Sequence, residues 1–203
     1  MLARYPAIQE RAQAELDAVT GGTRLPSFED RPNLPYVNAL CKEVMRWRMV
    51  TPMGVPHRCT EDDVYEGYFI PKGSMIIANA WAMFRDPTLY PEPDTFDPER
   101  FLTADGQFKD DPLINAAFGF GKRICPGRFV ADSTIFLTAA TVMSSFHVGS
   151  PKGSANEACI NDNVNLGQMI ARPQPFQCSI SPRGAKAEEL IMQDPSTAHS
   201  AYK

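Results

Sequence analysis

Apolar residues recur at steps of three and four in two places near the start of the chain. Over residues 5–19 the repeat is Ile8, Ala12, Leu16 and Val19, and the spacing predicts a short amphipathic helix. Pro6 stands at its start and Gly21-Gly22 follow its end, as helix boundaries favour. Over residues 35–48 the repeat is Val37, Leu40, Cys41, Val44 and Trp47, opened by Pro35, which predicts a second helix. A long apolar run over 129–146 follows Pro126 and predicts a third helix over 126–147. Between the second and third helices the periodicity fails. Pro52 and Pro56 make residues 50–58 extended. Residues 64–70 and 75–78 read as the two strands of a hairpin, with Pro71-Lys72-Gly73 as a type I turn. Residues 79–86 read as a helical turn. Residues 20–34 and 87–117 are rich in Gly, Pro, Asn and Asp and read as loops. Short extended runs are predicted over 165–171 and 176–180, and a polar, poorly ordered tail over 184–203. The fold class is therefore mainly α with a small β component.

Composition narrows the function classes. A chain of 203 residues, 43% hydrophobic and 22% charged, suits one globular domain with a sizeable core. The net charge of −4 argues against nucleic-acid binding. The five cysteines, Cys41, Cys59, Cys125, Cys159 and Cys178, are widely spaced with no Cys-x-x-Cys pair. That argues against zinc and a disulfide framework and for a reducing, intracellular setting. No signal peptide or membrane anchor is read, because the first residues carry Arg4, Glu10, Arg11 and Glu15. The run over 129–146 holds Asp132 and several hydroxyls, so it reads as a buried helix rather than a membrane span. There is no internal repeat and no low-complexity block.

One cysteine stands apart chemically. Cys125 precedes Pro126 in a loop rich in glycine and aromatics, running from Phe118 to Arg128. If the helix begins at Pro126, Cys125 lies at its N-terminus, where the dipole favours a thiolate. A P-loop is excluded, because Ala116 stands where its first glycine is required and Arg123 where Ser or Thr is required. A dinucleotide fingerprint from Gly119 fails at Ile124. The remaining readings are a metal or cofactor ligand, or a structural cysteine acting as a small hydrophobe. On the second helix, Glu43 and Arg46 lie three apart and are surface neighbours, which by itself is compatible with a solvated salt bridge.

The pattern Phe-x-x-Gly-x-Arg-x-Cys-x-Gly is met by Phe118, Gly121, Arg123, Cys125 and Gly127. It resembles the haem-binding loop of the cytochrome P-450 superfamily, the haem-thiolate monooxygenases. Glu43-x-x-Arg46 resembles that family's Glu-x-x-Arg motif, and Pro98-Glu99-Arg100-Phe101 its Pro-x-Arg-Phe motif, both in the family's order. The details look most like fungal, reductase-dependent members.

The resemblance implies a haem b cofactor (iron protoporphyrin) with Cys125 as the axial thiolate and no other metal. It implies that Phe118 packs on the porphyrin and that Gly121 and Gly127 let the backbone approach it. Arg123 is implied to meet a haem propionate, and His57 or its neighbour Arg58 is a second candidate. Glu43, Arg46 and Arg100 are implied to form a buried structural triad on the proximal side. Val50, Met53, Val55, Met169 and Ile170 match substrate-lining regions; core packing is an equal reading of these apolar residues. The implied partners are an NADPH-dependent flavoprotein reductase, O2 and a lipophilic substrate.

The resemblance covers only the C-terminal part of the family. One truncated domain over 1–203 is expected, with helices over 5–48 and an extended segment and hairpin over 50–80. A meander and cysteine loop over 87–128, a proximal helix over 126–147, terminal strands over 164–182 and the tail complete it. The family's central distal helix, with an acidic residue beside a catalytic threonine, is not found in residues 1–42. Thr20-Gly21-Gly22-Thr23 follows a helix end and has no acidic neighbour of that kind. Two functions are therefore expected as alternatives: a monooxygenase read from an incomplete chain, or a truncated, non-catalytic haem-binding fragment. A haem-thiolate dehydratase or isomerase is a third. The full-length parent is expected at the endoplasmic reticulum membrane.

Overall fold

A computed structural model describes residues 1–151 and 169–192. The predicted run over 165–168 and the tail over 193–203 lie outside the described residues. Helix α1 spans Pro6–Thr20, with Pro6 in its first turn; Gly21, at φ +63°, ends it in the left-handed region. Helix α2 spans Pro35–Trp47. Its free N-terminal N–H groups are not capped locally. The Glu15 carboxylate of α1 accepts hydrogen bonds from the N–H groups of Tyr36 and Val37 at 2.8 and 2.9 Å. The loop between the two helices holds a 3₁₀ helix, Phe28–Asn33.

Helix α2 is the centre of the molecule, because it is buried on two faces. On one face Val37, Leu40 and Cys41 pack with Ala12 and Leu16 of α1 and with Phe136, Ala140 and Met143 of helix α4, Arg128–Ser145. On the other face Ala39 and Met45 pack with Phe84, Tyr90, Phe101, Ile114 and Ala116, all from the stretch between α2 and α4. The short helix α3, Ala80–Met83, lies where the helical turn is predicted. The loop beyond it is irregular, with 3₁₀ turns at Pro98–Phe101 and Pro112–Phe118.

The β structure differs from the expected hairpin. Strand β2 (Asp63–Tyr65) pairs antiparallel with β3 (Tyr68–Ile70) across Glu66-Gly67. Both of these turn residues have positive φ, at +49° and +85°, as a two-residue I′ hairpin requires. Pro71 follows β3, and its carbonyl accepts the Ser74 N–H at 3.1 Å. That turn has Gly73 at φ +90°, so it is not type I. It feeds β4 (Met75–Ile76), which pairs with β1 (His57–Arg58) rather than with residues 64–70.

Helix α4 ends earlier than predicted. Residues Phe146–Gly149 form β5, antiparallel to β6, Ser179–Pro182. The switch is imposed from α1. The Gln9 side chain pairs with both the N–H and the C=O of Val148, and Gln13 donates to the carbonyls of Met143 and Phe146. The tail is also corrected over its first part. Residues Ala185–Met192 form helix α5, preceded by Arg183, which binds Asp17 of α1 through two bonds and donates its N–H to Ser145 C=O. Among the described residues no helix is long and apolar enough to cross a membrane.

Candidate functional site

Glu43 and Arg46 lie one turn apart on the face of α2 that meets the long loop. Both side chains are fully buried. Arg46 donates from Nε and Nη2 to the two carboxylate oxygens of Glu43, at 2.6 and 2.7 Å. Its remaining N–H groups go to the carbonyls of Phe84 (2.9 Å), Pro93 (2.8 Å) and Thr95 (3.2 Å). Glu43 also accepts the backbone N–H of Asp97 at 2.8 Å. The Arg100 Nε stands 3.7 Å from Glu43, and its terminal nitrogens bind the carbonyls of Pro91 and Glu92. Trp47 donates its indole N–H to the carbonyl of Asp94 at 2.9 Å. Loop carbonyls from 91 to 95 thus converge on two guanidiniums and one indole. This matters because a buried carbonyl without a donor is costly. Each charge in the cluster has a partner, which is the condition for a buried ion pair to be tolerated.

The cysteine loop is built on the same loop's second half. Asp111 caps the 3₁₀ helix Pro112–Phe118 by accepting the Leu113 N–H at 2.9 Å, and the Tyr90 hydroxyl donates to Asp111 at 2.6 Å. Burial, reinforced by this bond to a carboxylate, raises the Tyr90 phenol far above its ordinary range, so it stays protonated and can donate to Asp111. The chain then turns at Gly119, where φ is +90°. The Cys125 N–H bonds back to the Phe118 carbonyl at 2.9 Å and closes the loop.

Here the expected helix start is corrected. Pro126 is not the first helical residue, because Arg128 N–H bonds back to Cys125 C=O and makes an intervening turn. Gly127 is the N-cap of α4, which begins at Arg128. Cys125 therefore stands in the turn before the helix, and the helix dipole acts on it from further away. The Cys125 side chain is exposed, and Gly127 passes so close that a Cβ there would lie 3.7 Å from the sulfur. A Cβ at Gly121 would meet no atom within 4 Å. Phe118 is partly buried and packs on the second core cluster. Arg123 is exposed.

The other candidate residues are separate from this loop. His57 and Arg58 are exposed on β1. Val50, Met53 and Val55 are exposed, as are Met169 and Ile170. The Ala171 N–H donates to the Val50 carbonyl at 2.7 Å, so the segment with Met169 and Ile170 runs beside Val50. Sequence reasoning reads Trp47 only as part of the apolar face of α2 and passes over Tyr90 and Asp111, so it misses the bonds these three make. Nothing local marks them, since their partners lie tens of positions away.

These residues fit a haem. Among the described residues no three His, Cys, Asp or Glu side chains converge on a point, so a metal at Cys125 has to bring its other ligands with it. The exposed sulfur shares its stretch of chain with the open space at Gly121, the exposed Phe120, Phe129 and Val130, and the Arg123 cation. That donor set suits a flat, apolar, anionic macrocycle that carries its own metal.

The sequence profile of the family described as Cytochrome P450 matches residues 1–179. The chain belongs to the cytochrome P450 family. It is 46% identical over 191 residues to the cytochrome P450 monooxygenase COX2 of Coprinopsis cinerea, covering 94% of this chain and 36% of that protein. It is 49% identical over 196 residues to the cytochrome P450 monooxygenase ple1 of Rhodocybe pseudopiperita, covering 95% and 37%. It is 44% identical over 187 residues to the cytochrome P450 monooxygenase claR of Ampulloclitocybe clavipes, covering 92% and 35%. The chain thus spans about a third of the length of the curated P450 relatives it matches. The P450 family implies haem as the cofactor.

Proposed function

We propose that these residues form the proximal, C-terminal part of a haem-thiolate monooxygenase that oxidises a lipophilic substrate. The observation that carries this is the exposed Cys125 sulfur, in a closed loop whose scaffold is tied to a fully buried Glu43–Arg46 pair. In this reading Cys125 is the axial thiolate and Arg123 holds a propionate, with His57 or Arg58 as the second anion partner. Phe118 backs the macrocycle, and Gly121 and Gly127 leave room for it. When bound, haem supplies the O2 chemistry, with the thiolate ligand favouring O–O cleavage. The chain's own task is to hold that sulfur in a fixed orientation. Glu43, Arg46 and Arg100 serve this by fixing the loop, and none of them is assigned to chemistry. Val50, Met53, Val55, Met169 and Ile170 form part of the substrate wall. Electrons come from NADPH through a flavoprotein reductase. The acid–threonine helix is assigned to the part of a full-length enzyme outside these residues, and membrane anchoring at the endoplasmic reticulum to the same part.

The test is spectroscopic. Haem-loaded protein, reduced under CO, is expected to show the red-shifted Soret band that marks thiolate ligation, and Cys125→Ala to lose it. A thiolate-type band that persists in Cys125→Ala overturns the ligand assignment.

A second reading, a haem-binding fragment without turnover, is favoured by the exposed apolar side chains Phe129 and Val130 on α4 and Met53 and Val55 after α2, which await another surface. These 203 residues alone are expected to give no NADPH- and O2-dependent hydroxylation. Turnover by the isolated chain sinks this second reading.

A further inference from the structure

Lys42 and Glu43 are neighbours on α2 and project about 100° apart, so they serve different faces of the helix. Glu43 faces the loop at 91–97. Lys42 faces α4 and the segment that leads into the cysteine loop, and it meets carboxylates that precede and follow Cys125 in the sequence. Its Nζ stands 3.7 Å from Asp110, which precedes the 3₁₀ helix Pro112–Phe118, and 3.2 Å from Asp132, in the second turn of α4. One ammonium therefore spans the base of the segment that presents the cysteine.

Asp132 is held from a second direction. Its other oxygen accepts from Arg31 Nη2 at 2.7 Å. Arg31 is itself fixed by Asn38 of α2, which accepts from its Nε at 2.8 Å, and its guanidinium lies 4.8 Å over the ring of Phe136, one turn further along α4. Burial pushes the Asp132 carboxyl up, but the Arg31 bond and the Lys42 charge outweigh it and hold the group below the ordinary carboxylate range. Three elements, the 3₁₀ segment at 28–33, α2 and α4, thus share one half-buried carboxylate. None of these residues belongs to the Glu43–Arg46–Arg100 cluster.

We propose that Asp132 is a positioning residue for the Cys125 thiolate, acting with Lys42 and Arg31 to close the base of the cysteine loop and set where the sulfur stands relative to α2. The proposal rests on the haem-thiolate reading. Asp132→Asn keeps the shape but leaves two half-buried cations facing each other, so the loop base loosens.

The experiment uses the full-length, haem-loaded enzyme and follows the ferrous–CO spectrum over time. Asp132→Asn, at equal haem content, is expected to lose the thiolate-type band about tenfold faster than wild type, as the loss of a charge-assisted bond implies. Asp132→Glu is expected to restore retention, and Lys42→Met to fall between. Equal rates in Asp132→Asn and wild type overturn the proposal. So does faster loss that merely tracks a lower global unfolding midpoint, since that assigns a structural role only. If Asp132→Asn takes up no haem, Lys42→Met decides: faster thiolate loss supports the proposal, and wild-type behaviour overturns it. A wild-type protein with no thiolate-type band fails the underlying haem-thiolate reading instead, and the proposal with it.

Discussion

Arg46 and Glu43 meet as a bidentate pair with both side chains at 0% exposure, and the same guanidinium holds the carbonyls of Phe84, Pro93 and Thr95. Removing Arg46 leaves the Glu43 carboxylate buried without its main partner. Arg46→Met is expected to cost about 3–5 kcal/mol, read from denaturant unfolding. The exposed pair of Arg11 and Glu99 provides the contrast, and Arg11→Ala is expected to cost under about 1 kcal/mol. Equal losses in the two variants contradict the burial argument.

Stability is expected to fall on the acid side. The Arg24 guanidinium and the Ser27 N–H hold the Asp30 carboxyl well below its ordinary value of 3.8, and Asp132 is lowered as well. A carboxylate lowered in the folded state contributes stability that is fully present above its ordinary value and is lost as pH falls through the folded one. Unfolding free energy is therefore expected to drop below about pH 4, and Asp30→Asn to flatten that drop. A variant that keeps the full acid slope rules Asp30 out as a source.

Gly119 has φ +90° and ψ −165°, a region open only to glycine. Gly119→Ala is expected to cost about 1–3 kcal/mol in unfolding and to weaken haem retention, because the strain sits within the closed loop. A fully stable Gly119→Ala with normal haem content shows that the loop relaxes without loss.

Two phenylalanines of α4 are expected to behave oppositely. Phe136 is fully buried between α1 and α2, whereas Phe129 is 67% exposed. Phe136→Ala is expected to cost about 3–5 kcal/mol. Phe129→Ala in the isolated chain is expected to lie within about 0.5 kcal/mol of wild type.

Much of this architecture is legible along the chain because it depends on near neighbours. The periodic apolar residues of α1 and α2 need only their own spacing, and both helices lie within a residue or so of the expected limits. The start of α4 is misread for a local reason: the turn that returns Arg128 N–H to Cys125 competes with Pro126 for the helix start. The hairpin is misread because Pro71-Lys72-Gly73 looks as turn-like as Glu66-Gly67, and the choice depends on β1 coming back to pair with β4.

By itself the sequence determined which residue types stand ready for the site. These are the cysteine in its glycine-rich loop, the Glu-x-x-Arg step on one helix face and the later arginine. Only the tertiary structure decided who meets whom. It ended α4 at Ser145 and turned the residues after it into strand β5 through Gln9 and Gln13, anchored α5 through Arg183 and Asp17, and brought Arg31, Lys42 and Asp132 together. The physical reason is common to all three. Periodicity reports burial of an element's own face, whereas hydrogen bonds and ion pairs between distant segments are set by how those faces pack.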